Sequence, residues 1–596
     1  MATTPHHPLS WSDDGQPRSD LYGDVYFSAE DGLAEARAVF LQGCGLPQAW
    51  AGRRRFVVGE LGFGTGLNAL ALIDLWRRTR PPGGQLQVFS VEAHPLGRDE
   101  AARALAVWPE LADLVQRLLG QWPGRAHGPH RIEFADLGVI VDVAVVEVAE
   151  ALEGWSGLAD AWFLDGFSPA LNPAMWRDEV LALVGARSAP GAAAATFTVA
   201  GQVRRGLAAA GFAVEKQPGF GRKRERLAAR FPGAAPPEAT PPRIAIVGAG
   251  IAGAAAARAA RALGVEPLVF EAQGRGAGAS GNRAALVTPR LDAGLGPPAR
   301  LFAQAFRRAV ALYEAQAGVV LSRGVLQLAA QPRDAARFAG IAGSDLFEPG
   351  ALEALDPAAA SALVGEVAPE ALAQHAACVI APAPLLAAWT PGLQPGRVAR
   401  LTQSGEGWAL ETEDGAVLAH ADVVIVAAGQ GSAALAPGLD LRPVRGQATF
   451  APLPDAPAAV VAGAYALPLA DGVLIGATHD RGDGEDDVRP ADDQRNLSAL
   501  EASLPTLAAR LAGLPLEGRA GVRATTGDQT PSAGAWTARP GLFVLTGFGS
   551  RGFSLAPLLA EHVAAVALGA PSPLPAALAA VVDPARFARR AARRGS

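Results

Sequence analysis

The sequence predicts an α/β protein of two consecutive units, and three observations predict it. An apolar strand, a glycine-rich turn and a helical pattern follow one another at "FVVGELGFGTGLNALAL" (56–72) and again at "RIAIVGAGIAGAAAARAARAL" (243–263). Between them "FPGAAPPEATPPR" (231–243) carries five prolines and no apolar period, which reads as a semi-rigid linker. The chain has 596 residues, too many for one ordinary domain, and half of them are hydrophobic, enough for a core in each unit. The boundaries expected are 1–232, a linker 233–243, and 244–596.

Composition removes several classes. The formal net charge of −6 argues against a uniformly basic nucleic-acid coat, although local patches stay open. Two cysteines, Cys44 and Cys378, allow neither a disulfide framework nor a Cys-rich metal site, and suit a reducing compartment. The first twenty residues lack a secretory pattern. The uncharged stretches 371–396 and 562–582 are broken by prolines, so neither reads as a membrane helix. A cytoplasmic monomer without metal or membrane attachment is expected.

In the amino-terminal unit, Glu60 closes the first strand and Gly62, Gly64 and Gly66 follow at alternate positions. "LQVFSVEAHP" then puts Glu92 at the end of a second strand. This is similar to the S-adenosylmethionine site of Rossmann-like methyltransferases. The glycines admit the methionine part, and the acid holds the ribose. NAD is the competing ligand, though the spacing is not G-x-G-x-x-G. The third strand, in "VDVAVVEVAEAL" (141–152), ends in Val146-Glu147 where such enzymes usually carry Gly-Asp, so Glu147 is the candidate acid near the adenine. "DAWFLDGFSPALNPAMW" (160–176) delivers Asp165 at a strand's carboxyl end, where open α/β sheets bind ligands. An acid beside Phe167 and other rings suits a nitrogen nucleophile, which the carboxylate can orient or deprotonate. A helix cap is the plainer role for Asp165. "GFGRKRERLAARF" (219–231) sets Arg222, Lys223 and Arg224 together, as a solvated face or a set of RNA phosphate contacts.

In the carboxy-terminal unit, Gly248, Gly250 and Gly253 have G-x-G-x-x-G spacing, and Glu271 ends the next strand 23 residues after the first glycine. Strand, turn, helix and acid together make a dinucleotide-binding start: a tight turn, close approach of a pyrophosphate, close helix packing, and an acceptor for ribose hydroxyls. "GASGNRAALVTP" (278–289) supplies Ser280, Asn282 and Arg283. "ADVVIVAAGQGS" (421–432) supplies a strand and Gly429, and "GLFVLTGFGSRGFSLAPLLAEHVA" (541–564) supplies Gly549, Ser550 and Gly552. "WALETEDGAVLAH" reads as a hairpin turning at Asp414-Gly415. The whole resembles the glycine oxidase and D-amino-acid oxidase family of flavoproteins, whose chain leaves the FAD domain to build a substrate domain. The fold class expected is therefore α/β: a Rossmann-like methyltransferase domain, then a glycine-oxidase-like FAD-binding domain with an inserted α+β substrate domain. By the same resemblance Arg523 would clamp a substrate carboxylate and Arg551 would lie near the flavin, unless either is a surface or structural ion-pair partner. The basic tail "ARFARRAARRGS" (585–596) reads as a frayed terminus.

Taken together, "DVYFS" (24–28), "GFGTGLN" (62–68), "DAWFLDGFSPALNPAMW", "GFGRKRE", "ASGNRAALVTP" and "GSRGF" resemble the bifunctional tRNA 5-methylaminomethyl-2-thiouridine biosynthesis proteins, over about residues 10–565. The resemblance implies two steps on a wobble uridine in a tRNA anticodon stem-loop. FAD-dependent oxidation would remove the carboxymethyl group from a 5-carboxymethylaminomethyl substituent. The released amine would then be methylated from S-adenosyl-L-methionine. The stretch "NRAALV" departs from the family's "NRQGAL"-like pattern at Ala285. An amine oxidase fused to a methyltransferase, both acting on small metabolites, is the alternative. A tRNA-binding scaffold with decayed sites is opposed by the intact glycines and acids.

Overall fold

The computed structural model describes residues 9–594 apart from 13–14, 28–30, 222, 236–239, 293, 406 and 455–457. Arg222 and part of the Pro-rich stretch thus lie outside the described residues. The chain forms two units, 1–240 with 262–264 and 570–576, and 241–261 with 265–569 and 577–596.

The amino-terminal unit is built on an eight-stranded sheet. Its middle strand, Arg55–Leu61, runs parallel to Gln85–Val91 on one side and to Ala159–Leu164 on the other. Six of its seven residues are buried, as expected of a parallel strand covered on both faces. Alternate residues feed two cores. Val58 packs with Phe163, Trp50 and Trp76, whereas Val57 and Leu61 pack with Trp162, Leu164 and Trp155. The chain goes one way from the middle strand to Gln85–Val91 and returns on the other side at Ala159–Leu164. That switch point opens a crevice at the carboxyl ends of these strands. The hairpin Ala213–Pro218 and Glu225–Arg230 closes one edge of the sheet.

The carboxy-terminal unit holds a six-stranded sheet and a larger, mostly antiparallel one. In the first, Ile244–Val247 lies parallel between Leu268–Glu271 and Val423–Val426, and Leu542–Thr546 follows. Nine positions of the alanine-rich helix Ile251–Ala262 are buried. Gly253 is what lets it start so close: a Cβ there would sit 1.8 Å from the Gly248 carbonyl oxygen. The larger sheet has ten strands, and its longest pairing joins Leu441–Ala451 to Glu517–Thr526, the strand carrying Arg523. The hairpin through Asp414-Gly415 forms as expected, with Gly407–Glu411 against Val417–Ala421. The basic tail corrects its expectation. It forms the helix Arg586–Arg594, and Arg586 is buried, donating to Asp528 at 3.0 and 3.1 Å. A guanidinium placed every few residues looks solvated in sequence; one bidentate acidic partner turns it into an anchor. No helix among the described residues is long and apolar enough to cross a membrane.

Candidate active sites

The glycine turn of the amino-terminal unit is shaped by its neighbours. Gly62 has φ of 95°, and a Cβ there would lie 2.2 Å from the Asp165 carbonyl oxygen, so the turn and the Asp165 strand end meet without side chains between them. Glu92 fastens the turn: the Gly64 N–H donates to Oε2 and the His94 N–H to Oε1, each at 2.9 Å. Tyr26 lies against Gly64. Glu60 is buried; Ser90 donates to its Oε2 at 2.6 Å, while Oε1 has no hydrogen-bond partner among the described residues. Burial, opposed by the Ser90 bond and helped by the nearby Asp165 charge, pushes Glu60 up to about 8. A buried acceptor left over beside a glycine turn fits a cationic ligand such as the ammonium end of S-adenosyl-L-methionine.

Asp165 sits next to this turn. Asn68, on the first turn of the helix Leu67–Thr79, donates to Asp165 Oδ2 at 2.7 Å. Burial pushes the Asp165 carboxyl up to about 7, with the bond from Asn68 and the charge of Lys223 opposing and Glu35 and Asp24 adding. Part of the residue's surface stays open, as an incoming acceptor requires. The loop beyond it is braced: Ser168 N–H donates to Asp24 Oδ2 at 2.9 Å, Trp176 Nε1 donates to the Phe167 carbonyl at 2.8 Å, and the Phe167 ring lies 4.9 and 5.1 Å from those of Tyr22 and Tyr26. Lys223 pairs with Glu35 at 2.8 Å and lies 4.1 Å above the Phe197 ring. Its charge acts on Asp165 although the residue is exposed, as Arg224 is.

The carboxy-terminal unit repeats the fastening. Glu271 accepts from the Ala249 N–H at 2.8 Å and the Gln273 N–H at 3.0 Å, and Ser280 Oγ accepts from the Ile251 N–H at 3.1 Å. A cavity of about 1350 Å³ starts here. Gly248, Gly250, Glu271, Ser280 and Asn282 line one part, Gly429, Gly549, Ser550, Arg551 and Gly552 the next, and Tyr465 and Arg523 another. Its size and its exposed glycine backbone fit a dinucleotide the size of FAD. Arg551 donates to the Pro289 carbonyl at 3.2 Å; burial, then the charge of Arg290, lowers it to about 10. Arg523 donates to the Thr478 carbonyl at 3.1 Å, and among the described residues no carboxylate lies within ion-pair distance. Burial lowers its pKa, with Tyr465 and Asp480 opposing. A largely buried guanidinium without a counter-ion in a cavity is suited to an anionic ligand.

Two expectations take another form. Arg283 is absent from the cavity lining. It points outward to Asp471 at 3.0 Å and Glu517 at 2.7 Å, across the Phe450 ring, because those exposed acids offer a hydrated ion pair that the cavity does not. Glu147 caps the helix Val148–Gly154 through the Ala149 N–H and pairs with Arg177 at 3.0 Å, so its carboxylate already has local work. Sequence reading passed over Asn68, Asp24, Glu35 and Arg519. Arg519 holds the 276–282 loop by donating to the Gly276, Ala277 and Gly278 carbonyls and to Asn282 Oδ1. Asn68 and Asp24 stand inside the motifs "GFGTGLN" and "DVYFS"; Glu35 and Arg519 are joined to their sites by long-range pairing alone. Among the described residues no cluster of His, Cys, Asp and Glu could hold a metal.

Comparison with known proteins finds two families, one after the other along the chain. Residues 109–232 match the S-adenosyl-L-methionine-dependent methyltransferase family and residues 243–566 the FAD dependent oxidoreductase family. Among solved structures, L-proline dehydrogenase from P. horikoshii shares the fold, with TM-score 0.50 and 18% identity over 58% of this chain and 98% of its own. The tRNA 5-methylaminomethyl-2-thiouridine biosynthesis bifunctional protein of Caulobacter vibrioides is 59% identical over 587 residues, covering 98% of each chain. That of Maricaulis maris is 46% identical over 605 residues, covering 98% of this chain and 97% of its own. Identity of that extent, with both units matched in order, makes the chain a member of the tRNA 5-methylaminomethyl-2-thiouridine biosynthesis bifunctional protein family.

Proposed function

We propose that this chain performs two consecutive reactions on a tRNA wobble uridine, as a monomer in the cytoplasm. The units that do so are residues 1–232 and 244–596, joined by the segment 233–243. The substrate of the first reaction carries a 5-carboxymethylaminomethyl group. Its secondary amine is oxidised to an imine of the carboxymethyl carbon, and water splits the imine into glyoxylate and a primary aminomethyl group. The second reaction methylates that amine. The observation that carries the reading is Arg523, a guanidinium with no counter-ion among the described residues, in the cavity that also contains the dinucleotide cradle.

FAD, when bound, supplies the two-electron acceptor; Gly248, Gly250, Glu271, Ser280, Asn282, Gly429, Gly549, Ser550 and Gly552 are the residues to hold it. Arg523 binds the substrate carboxylate and so fixes the adjacent carbon, and Arg551 adds positive charge to the cavity wall. S-adenosyl-L-methionine, when bound, supplies an electrophilic methyl group; Gly62, Gly64, Gly66, Glu60 and Glu92 form its cradle, with Glu147 a further candidate. Asp165 Oδ1, left over after Asn68 has taken Oδ2, accepts a hydrogen bond from the amine and takes the proton the nitrogen loses on methylation. Phe167 and Tyr22 offer ring faces to the uracil, and Arg224 with Arg222 offers charge to phosphates.

Mass analysis of wobble nucleosides tests this, after carboxymethylaminomethyl tRNA is incubated with the FAD-loaded protein. Without S-adenosyl-L-methionine the aminomethyl nucleoside should accumulate with glyoxylate; with it, the methylaminomethyl nucleoside should appear. Unchanged tRNA alongside turnover of free N-alkyl glycines would establish the small-metabolite alternative instead.

A further inference from the structure

The strand Leu441–Ala451 carries the tripeptide Arg445-Gly446-Gln447, and its two faces differ sharply. Arg445 and Gln447 are fully buried on one face. Arg445 is paired with Asp492 and donates to Gln447 Oε1 at 3.1 Å and to the Asp487 carbonyl at 2.6 Å. Gln447 donates from Nε2 to Asp493 and to the Arg489 carbonyl, each at 2.9 Å, and its Oε1 accepts from the Arg489 N–H at 2.8 Å. Asn496 adds a bond to the Gln447 carbonyl at 2.9 Å. These bonds tie the strand to the helix Pro490–Glu501 and the segment before it.

Gly446 lies between them and points the opposite way. A Cβ built on Gly446 would stand 2.3 Å from Cζ, Nη1 and Nη2 of Arg523. The guanidinium therefore lies flat on bare backbone. The strand on which it rests also holds its acceptor: Thr478 and Gln447 exchange bonds, Gln447 N–H to Thr478 Oγ1 at 2.9 Å and Thr478 N–H to the Gln447 carbonyl at 3.1 Å. Gly446 is not among the residues with positive φ, so alanine suits its backbone. The obstacle to a methyl group is the tip of one flexible side chain.

We propose that Gly446 is a positioning residue, the seat of the Arg523 guanidinium, held at fixed height by the buried anchors Arg445 and Gln447. The seat determines where a substrate carboxylate is received, and so selects amines that carry one. This rests on the carboxylate-binding reading of Arg523, and the test separates the two.

Gly446→Ala, Arg523→Ala and the double variant are compared in the full FAD-loaded chain. The readouts are oxidation of carboxymethylaminomethyl tRNA and inhibition by glycolate, a small carboxylate probe. Losing an aligned charge-assisted pair predicts a KM and a glycolate inhibition constant raised ~10- to 100-fold in Gly446→Ala, with kcat changed much less. Methylation of aminomethyl tRNA by the same preparation should match the parent, which reports on folding. In the Arg523→Ala background the added methyl has room, so Gly446→Ala should cost nothing further. A parental KM and inhibition constant in Gly446→Ala, with Arg523→Ala impaired, overturns the seat and leaves the reading of Arg523 intact. So does full additivity in the double variant. A parental Arg523→Ala overturns both.

Discussion

Asp165 shows how one residue's chemistry is set by its immediate neighbours. An ordinary exposed aspartate is a weak base toward an alkylammonium; burial that lifts its pKa to about 7 makes it a better match. The group must be ionised to accept the proton, so methyl transfer should fall as pH drops through about 7, an acid limb visible in a rate profile on aminomethyl tRNA. Asn68 stabilises the ionised form. Asn68→Ala should therefore shift that limb to higher pH and slow transfer at neutral pH roughly five- to tenfold, whereas Asp165→Ala should cost about 100-fold or more. An unmoved limb in Asn68→Ala would remove Asn68 from the site. Arg283 gives the converse case. Because it pairs with Asp471 and Glu517 outside the cavity, Arg283→Ala should leave flavin content and the flavin absorption spectrum as in the parent. Glycines, strand-end acids and Asp165 were legible in sequence because each follows its motif at fixed spacing. The outward turn of Arg283 was not, since it depends on acids 188 and 234 residues away.

At the scale of elements, both units solve one problem in one way. A strand–turn–helix start exposes backbone N–H groups, and the acid ending the neighbouring parallel strand captures one of them, Gly64 for Glu92 and Ala249 for Glu271. The same acid also takes the N–H two residues beyond itself. Each acid thereby ties its glycine turn to the end of the neighbouring strand. Glu271→Gln turns an amide NH2 toward one of the two backbone donors and loses that bond. Flavin affinity, measured by titrating the deflavinated protein, should weaken by about 1–2 kcal/mol, or roughly tenfold. Affinity equal to the parent would mean the turn holds its shape without Glu271. Strand, turn and helix were readable from apolar runs and glycines. The acid-to-turn bonds were not, because they require the two strands to pair in parallel at one particular register.

At the scale of the whole molecule, the candidate residues of each site fall in one unit. The residues around Asp165 fall between Tyr22 and Lys223, and those lining the dinucleotide cavity between Val247 and Ser554. Asp165→Ala should consequently leave glyoxylate release at the parental rate, and Arg523→Ala should leave methylation of aminomethyl tRNA at the parental rate, both read by nucleoside mass analysis. Joint loss in either variant would mean that the two activities share groups. The sequence by itself determined two α/β units in this order, the two glycine turns, both strand-end acids and Asp165, because local backbone geometry demands particular residue types at short, fixed intervals. Tertiary contacts alone set the pairing of Lys223 with Glu35, the anchoring of the tail through Arg586, and the rest of Arg523 on Gly446 with no counter-ion among the described residues. Those outcomes turn on which distant side chain reaches a charge first, and burial makes that contest decisive by withdrawing water as the alternative partner.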